Sequence, residues 1–510
     1  MVSERAARVW RATMKDRESG WRFTGVVAVL YLAFLIWMHA HHEMWRDEVH
    51  AWSLARIAQG FGDLVTGDRR YEGHPPLWFW YLRVWSWVFP AAWGLQVATA
   101  AAALGAAVLW LRFAPFPRPL KVLLLTTYYF GYEYPVMCRN YVLGWLLLCV
   151  FCTLYHPLRL RALTLAGVLS LLAWTSVYGL AMAIGLVLFL ALDNLRLRGG
   201  PGARQLVAVA LPRQLWGLGI FAAAVAFFAW SVEPPDPNPF APAWNFSAVN
   251  LDALPQMLSR VLDGMVPLRP FKIDFWFRWA YFWDRFPAAI SYVAAGSLVA
   301  AAAVLYRSWR LVCFYVVAVL MMILVQQARY GGSPRHWGHF FMALIAASWL
   351  LRTLLPQRRH LPSLMLLLVL CGVQVQSFLA ATAADTHYPF SGGRDAAAFI
   401  RRAGMQDWPL VAGPGQALTV AVYLRRPFYN METEEVEETV AFHTRRKNFS
   451  GTDFLAKAIA VSREHHHAVV VVTGQQLPPP PAGVRAPLLY ISPRCTIDDE
   501  AFRVYSLDAN

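Results

Sequence analysis

The stretch TGVVAVLYLAFLIWMHA, residues 24–40, contains no Asp, Glu, Lys or Arg and is long enough to cross a bilayer as a helix. Comparable apolar runs recur along the chain, which is 57% hydrophobic and only 15% charged. Soluble domains contain roughly 25% charged residues. No small-x-small cleavage site follows the first run, so we expect a retained helix. The composition predicts an all-α polytopic membrane bundle.

Basic residues predict which way the bundle faces. Residues 1–23 contain six Lys and Arg residues, which places this tail in the cytoplasm by the positive-inside rule. The first crossing then brings residues 41–75 outside, as a first outer loop. A second long outer loop is expected at 231–286. The pattern is typical of a multi-pass protein of the inner (plasma) membrane.

The same rule predicts about eleven crossings. Residues 76–111 are expected to cross once, with 76–90 interfacial or re-entrant, since two crossings would place the basic segment from Arg112 to Lys121 outside. The membrane module is then 24–384, with spans predicted at 24–40, 120–133, 141–155, 162–174, 180–192, 214–231, 287–305, 311–327, 339–355 and 361–383.

Residues 385–510 differ in pattern from the bundle. A helical pattern at 393–404 is followed by strand patterns at 409–412 and 418–424, and a second helical pattern covers 453–464. AVVVVT at 468–473, LLYI at 488–491 and FRVYSL at 502–507 are further strand patterns. This alternation predicts a small α/β domain on the outer, extracytoplasmic side.

Charge and cysteine content exclude other classes. The net charge is +15, but the basic residues lie between apolar runs rather than in a stripe interleaved with aromatic residues, so nucleic acid is not an expected partner. Membrane lipids are expected partners. The six cysteines show neither zinc-ligand spacing nor a disulfide framework.

The first outer loop contains the sharpest chemical signal. It has the sequence MWRDEVHAWSLARIAQG at 44–60, followed by RRYEGHPPLWFWYL at 69–82. Asp47 and Glu48 stand immediately before a helical pattern, so Asp47 is expected to cap that helix. The same place suits a general base, because a helix N-terminus keeps a carboxylate ionised and fixed.

These motifs resemble those of the GT-C superfamily of membrane glycosyltransferases, which includes protein O-mannosyltransferases and aminoarabinose transferases. The resemblance rests on the acidic pair Asp47-Glu48 after the first helix and on the segment from His74 to Leu77, HPPL, where the chain re-enters the membrane. It implies a GT-C-like bundle and a polyprenyl-phosphate-linked sugar donor. It also implies Asp47 and Glu48 as catalytic residues, with Glu72 near the lipid phosphate.

Cations are needed to hold a donor phosphate, because an Arg fork pairs well with phosphate oxygens. The candidates are Arg139 in CRNY and the cluster SPRHWGH, which contains Arg335, His336 and His339. With Glu72 and His74 these residues form the predicted substrate-binding set. For Arg139, snorkelling to the interface is an equally good interpretation.

No metal-binding motif such as HExxH is present, although several histidines lie near the first outer loop. We therefore expect no assigned cofactor, while a divalent metal stays open. The residues leave the sugar and the acceptor undetermined. Two other classes also stay open: a transporter or flippase for lipid-linked substrates, and a non-catalytic scaffold for envelope assembly. The scarcity of ionisable residues inside the predicted spans favours surface chemistry over transport.

Overall fold

A computed structural model gives the fold of the chain. The predicted cytoplasmic tail lies mostly outside the residues it describes, as do parts of the predicted loop 231–286. The described residues are 19–157, 161–198, 203–235, 249–250, 252–278, 285–356, 360–413, 416–441, 447 and 449–509.

The described part of the chain is mostly helical, and the helices of the bundle are numbered here in chain order. They are α1 Trp21–His41, α2 Arg46–Ile57, α3 Asp63–Thr66, α4 Leu77–Val88, α5 Trp93–Phe113, α6 Arg118–Leu124, α7 Tyr134–Val136, α8 Tyr141–Leu154, α9 Ala162–Ala173, α10 Val177–Arg198, α11 Ala203–Val232, α12 Leu254–Met265, α13 Pro287–Val304, α14 Trp309–Ala328, α15 Pro334–Leu354 and α16 Leu361–His387.

Six helices in the described ranges are long and apolar enough to cross a bilayer. Three shorter apolar helices accompany them, so the chain is a membrane protein; the number of crossings stays a prediction. The six spans are Trp21–His41, Trp93–Phe113, Val177–Asn194, Pro212–Val232, Trp309–Ala328 and Leu361–His387.

Residues 76–113 form two helices, α4 and α5. Helix α4 has 12 residues and is therefore about 18 Å long, too short for a hydrocarbon core of about 30 Å. Helix α5 has 21 residues and is one of the six candidate spans. One of the two helices is thus a candidate span, and a single net crossing of residues 76–111 stays a prediction.

The expectation of one continuous span at 120–133 is wrong. Helix α6 ends at Leu124, and a separate π-helix covers Tyr128–Glu133. At the break, the Thr127 side chain accepts the amide of Phe130, and Gly131 lies so close to the ring of Phe378 that a Cβ would be 2.7 Å from it. The interruption turns the side chains of the π-helix into the bundle, as π-helical segments often do near functional sites.

Helix α15 is the centre of the bundle, and every residue from Pro334 to Thr353 is buried. Helix α12, which the sequence did not predict, packs against it with Met257, Val261 and Leu262 buried. The N-terminus of α15 lies near α2, because Arg335 is in contact with Asp47.

The C-terminal residues form a mixed six-stranded sheet in the order β3-β2-β1-β4-β6-β5. Strand β1 is parallel to β2 and β4, while β6 is antiparallel to β4 and β5. The helices and the sheet confirm that the C-terminal residues form an α/β domain. The elements are α17 Gly393–Arg402, β1 Leu410–Ala412, α18 Gln416–Leu424, β2 Phe428–Asn430, β3 Glu435–Glu437, α19 Gly451–His465, β4 Val469–Thr473, β5 Leu488–Ile491, a 3-10 helix Asp498–Glu500 and β6 Arg503–Leu507.

One strand prediction in this domain is wrong. Residues 418–424 belong to helix α18, in which Leu418, Val420 and Ala421 are buried. An apolar run this short does not distinguish a strand from a buried helix, and here packing against α2 and α17 favours the helix.

The C-terminal domain packs on the end of the bundle at which α1 and α16 finish, here called the domain end. Ser53 on α2 hydrogen-bonds Thr439 (Oγ to Oγ1, 2.7 Å), and Arg56 pairs with Glu438 at 2.7 Å. The loop after α1 and the domain therefore lie on one side of the membrane.

Labelling in cells tests which side this is. We expect an impermeant maleimide to label Val436→Cys and Gln59→Cys in intact cells, and Arg307→Cys only after permeabilisation, because the basic clusters predict that the domain end faces outward. All six native cysteines are buried except the half-buried Cys313, which is first replaced by Ser. Labelling of Arg307→Cys alone in intact cells would reverse the orientation.

Candidate functional site

Asp47 lies in the first turn of α2 at the domain end, with about a third of its side chain exposed. Its carboxylate accepts a hydrogen bond from the Arg335 guanidinium (Nη2 to Oδ2, 3.1 Å). The expected capping role of Asp47 is not what the structure shows. Glu48, one residue further, accepts the backbone amide of Trp45, the residue at the N-cap (3.0 Å). Asp47 is thus free to face the guanidinium.

A second guanidinium approaches Asp47 from the turn before α8. Arg139 donates to the backbone carbonyl of Asp47 and lies 3.3 Å from the ring of His74 (Nη2 to Nε2). Arg139 is 8% exposed, so it is part of the site wall and does not snorkel to the interface. The structure brings together the first loop, the HPPL segment and the 138–140 turn.

Arg335 is held by aromatic rings. Its guanidinium carbon lies 5.4 Å from the ring centroids of both Trp45 and Trp276. Contacts of this kind stabilise a cation that has lost much of its water. The guanidinium lies against both rings while its Nη2 donates to Asp47. Sequence reasoning missed both tryptophans, since their positions resemble ordinary interfacial aromatic residues.

The turn that carries His74 is organised by a buried arginine. Arg69 is 1% exposed and donates to the backbone carbonyls of Leu64 and Ser231, and also to that of His74. Burial, followed by the charges of Arg139 and Arg335, lowers the pKa of His74 to about 3. His74 is therefore neutral and able to accept a hydrogen bond from Arg139.

Glu72 lies beside this cluster and pairs with a residue of α2. Its carboxylate is 3.3 Å from Nδ1 of His50, whose Nε2 hydrogen-bonds the carbonyl of Val440 in the C-terminal domain (2.6 Å). Burial opposes a charge on His50, but the carboxylate of Glu72 outweighs it and raises the pKa of His50. His50 thus links Glu72 to the C-terminal domain.

Glu48 does not line the open side of the site. Its side chain is 0% exposed, and its oxygens accept the amides of Trp45 and Cys138 and contact His42 (Nε2 to Oε2, 3.1 Å). The other ring nitrogen of His42 is 2.9 Å from Asp385, near the end of α16. The Glu48 carboxylate is therefore enclosed by protein groups, and its expected catalytic role stays a prediction.

His336 and His339 are likewise enclosed, and their expected contacts with a substrate stay predictions. Both nitrogens of His336 are used within the protein, by the Ser333 amide (2.8 Å) and by the Tyr141 hydroxyl (2.8 Å). His339 is 1% exposed, and its ring is stacked on Tyr178. The cluster SPRHWGH is dense in polar groups because it caps α15 and packs in the core, and only Arg335 reaches Asp47.

The charges around Asp47 set its protonation. Burial tends to raise the pKa of this carboxyl group, but Arg139 and Arg335 outweigh burial, and the pKa lies below its ordinary value. Asp47 is therefore ionised at neutral pH. Among the described residues, no group of three or more His, Cys, Asp and Glu side chains could hold a metal ion.

Comparisons with protein-family models and with curated proteins find no match. The chain is similar to the crystal structure of ArnT from Cupriavidus metallidurans in the apo state, with a TM-score of 0.41 and 16% sequence identity. The similarity covers 94% of this chain and 97% of that chain. Because the TM-score and the sequence identity are both low, the proposed function rests on the residues of the site and not on this similarity.

Substitution of His42 tests the buried network. His42→Leu leaves Glu48 and Asp385 buried without the cation between them, and loss of one partner from a buried ion pair costs roughly 3–5 kcal/mol. We expect a marked fall in the apparent melting temperature of the detergent-solubilised protein. His41→Leu, at the exposed neighbour, is the control and should change it little. Equal shifts would mean that His42 has no special structural role.

Proposed function

We propose that this chain is an inverting glycosyltransferase of the GT-C type, which moves a sugar from a polyprenyl-phosphate carrier to an acceptor in the cell envelope on the outer face of the membrane. One observation carries the proposal. Asp47, a partly exposed carboxylate at the domain end, lies within one cluster with the guanidinium groups of Arg139 and Arg335. A base beside two phosphate-binding cations is what transfer from a phosphate-linked donor requires.

Arg139 and Arg335 are proposed to bind the donor phosphate. Guanidinium groups suit phosphate oxygens because they donate parallel hydrogen bonds and keep their charge. Phosphate is a stable leaving group, so stabilising its developing negative charge matters more than protonating it. In the structure Arg335 is paired with Asp47. A bound phosphate would compete for that guanidinium and leave Asp47 available to the acceptor.

Asp47 is proposed to act as the general base. It takes the proton of an acceptor hydroxyl while the acceptor oxygen attacks C1 of the sugar opposite the phosphate. The new bond to C1 forms as the bond from C1 to the phosphate oxygen breaks, and the phosphate leaves with the electron pair. The products are a glycoside of inverted configuration and polyprenyl phosphate.

The remaining residues orient these groups. His74 accepts from Arg139 and so fixes that guanidinium, while Glu72 fixes His50 on α2. Glu48 holds the first turn of α2 through its contacts with Trp45 and His42. Glu72 and His74 are half-buried, which supports a part in orienting the donor or acceptor.

Mass spectrometry of envelope lipids and glycans, from cells with and without the gene, tests the proposal. We expect a glycosylated lipid, glycan or protein to be absent from the deletion strain, with its unmodified form in its place. A flippase or a scaffold would instead change the amount or location of several products together.

The Asp47→Asn variant tests the base. Asn has nearly the same size but accepts no proton, so the amount of product formed by membranes from complemented cells should fall by about 10²- to 10⁴-fold. The protein should still fold, because Glu48, and not Asp47, accepts the N-cap amide. Rates are compared at equal amounts of folded protein. Near-normal turnover of Asp47→Asn would mean that Asp47 is not the general base.

The Arg335→Ala variant tests the phosphate site. Loss of a hydrogen bond to a charged group corresponds to roughly ten- to a hundredfold in affinity or rate. The control is Arg278→Ala, because Arg278 is exposed and pairs with Asp274 on its own segment. Equal losses in the two variants would indicate general headgroup electrostatics instead.

The same variant has a pH signature. Asp47 works only when deprotonated, and Arg335 helps to hold its pKa below the ordinary value. Its removal lets burial raise that pKa, so the residual activity of Arg335→Ala should fall on acidification in a range where the unaltered enzyme stays constant. If the acid side of the pH–activity profile were the same in Arg335→Ala and in the unaltered enzyme, Arg335 would have no influence on the pKa of Asp47.

A further inference from the structure

The loop between α1 and α2, residues 42–45, lies just before Asp47 and is bound in part by the C-terminal domain. Arg394 on α17 pairs with Glu43 at 2.8 Å, and the hydroxyl of Tyr423 on α18 accepts the amide of Met44 (3.1 Å). Both contacts join positions more than 350 residues apart in the chain. The path of the chain into α2 therefore depends on a separate domain.

Glu500 makes the contact nearest to the site. Its Oε1 accepts the backbone amide of Arg46, the first residue of α2, at 3.0 Å. The first amides of a helix have no acceptor within the helix and need one from elsewhere. The neighbouring Asp499 pairs with the side chain of Arg46. The 3-10 helix Asp498–Glu500 thus supplies an N-terminal cap to α2 from another domain.

Glu500 is 0% exposed, so its position is fixed by the domain. Burial raises the pKa of Glu500 to about 8, although Arg46 opposes this. A largely neutral carboxyl group still offers a carbonyl oxygen to the amide of Arg46, and the amide of Gln offers the same oxygen with nearly the same shape.

We infer that Glu500 is a positioning residue for Asp47, and that the C-terminal domain is a working part of the site because it holds the N-terminus of α2. The catalytic consequence rests on the function proposed above. A small displacement of a reacting group is costly, with a shift of about 1 Å able to reduce the rate by about 10²-fold. The structural consequence, an ordered segment 43–48, is independent of the reaction.

Hydrogen exchange in the full-length protein tests the structural part. In Glu500→Ala, peptides covering residues 43–50 should exchange about tenfold faster, as expected for the loss of one hydrogen bond. In Glu500→Gln they should not, because the acceptor oxygen is kept. The matched control is Glu438→Gln, which alters the exposed pair of Glu438 with Arg56 at the other end of α2.

Peptides covering β4 and β6 report whether the domain itself stays folded. Faster exchange at 43–50 in Glu500→Ala alone, with these strands unchanged, supports the inference. Unchanged exchange at 43–50 in Glu500→Ala overturns it. So does an equal increase in Glu500→Gln, since the effect would then not depend on the acceptor oxygen.

Product formation in complemented cells tests the catalytic part. We expect a fall of about tenfold in Glu500→Ala, recovery in Glu500→Gln and no change in Glu438→Gln. Full activity of Glu500→Ala despite faster exchange would overturn the positioning role. The two proposals fail in different ways: if deletion of the gene changes no envelope product, the proposed transfer is wrong, while the exchange result still stands.

Discussion

The contact of His42 with the carboxylates of Glu48 and Asp385 is the interaction on which the site depends. It joins the end of α1, the first turn of α2 and the end of α16, and all three side chains are fully buried. Burial alone would lower the pKa of His42, but the two carboxylates outweigh it and raise that pKa. A charge buried in this way is stable only if every partner is in place, so the three helix ends are fixed relative to one another.

The orientation of Asp47 follows from that constraint. Successive residues on a helix point about 100° apart, so fixing Glu48 toward His42 turns Asp47 aside, toward Arg335. The two carboxylates of the acidic pair thus have different surroundings. The Glu48 carboxylate is enclosed by protein groups, while that of Asp47 is partly exposed and lies near two guanidinium groups. The rings of Trp45 and Trp276, against which the Arg335 guanidinium lies, complete the arrangement by holding the cation that Asp47 faces.

The sequence was informative about local features and less so about contacts. The first candidate span and most elements of the α/β domain could be predicted, because hydrophobic period and length are local properties. The span expected at 120–133 failed, since the helix ends at Leu124 and the π-helix that follows packs against Phe378, far along the chain. The helix α18 was mistaken for a strand because its packing against α2 and α17 cannot be seen in a short apolar run.

The sequence by itself determined that this is a membrane protein with a candidate acidic and basic site at one end of its bundle, because composition and charge clustering are properties of the chain alone. Only the tertiary structure decided which groups each of these residues contacts and which of them are buried. It placed Asp47 with Arg139, Arg335 and His74, and enclosed Glu48, His336 and His339. It also brought Asp385 and Glu500 to the first loop. These partners are distant in sequence, and burial and pairing are properties of the folded chain.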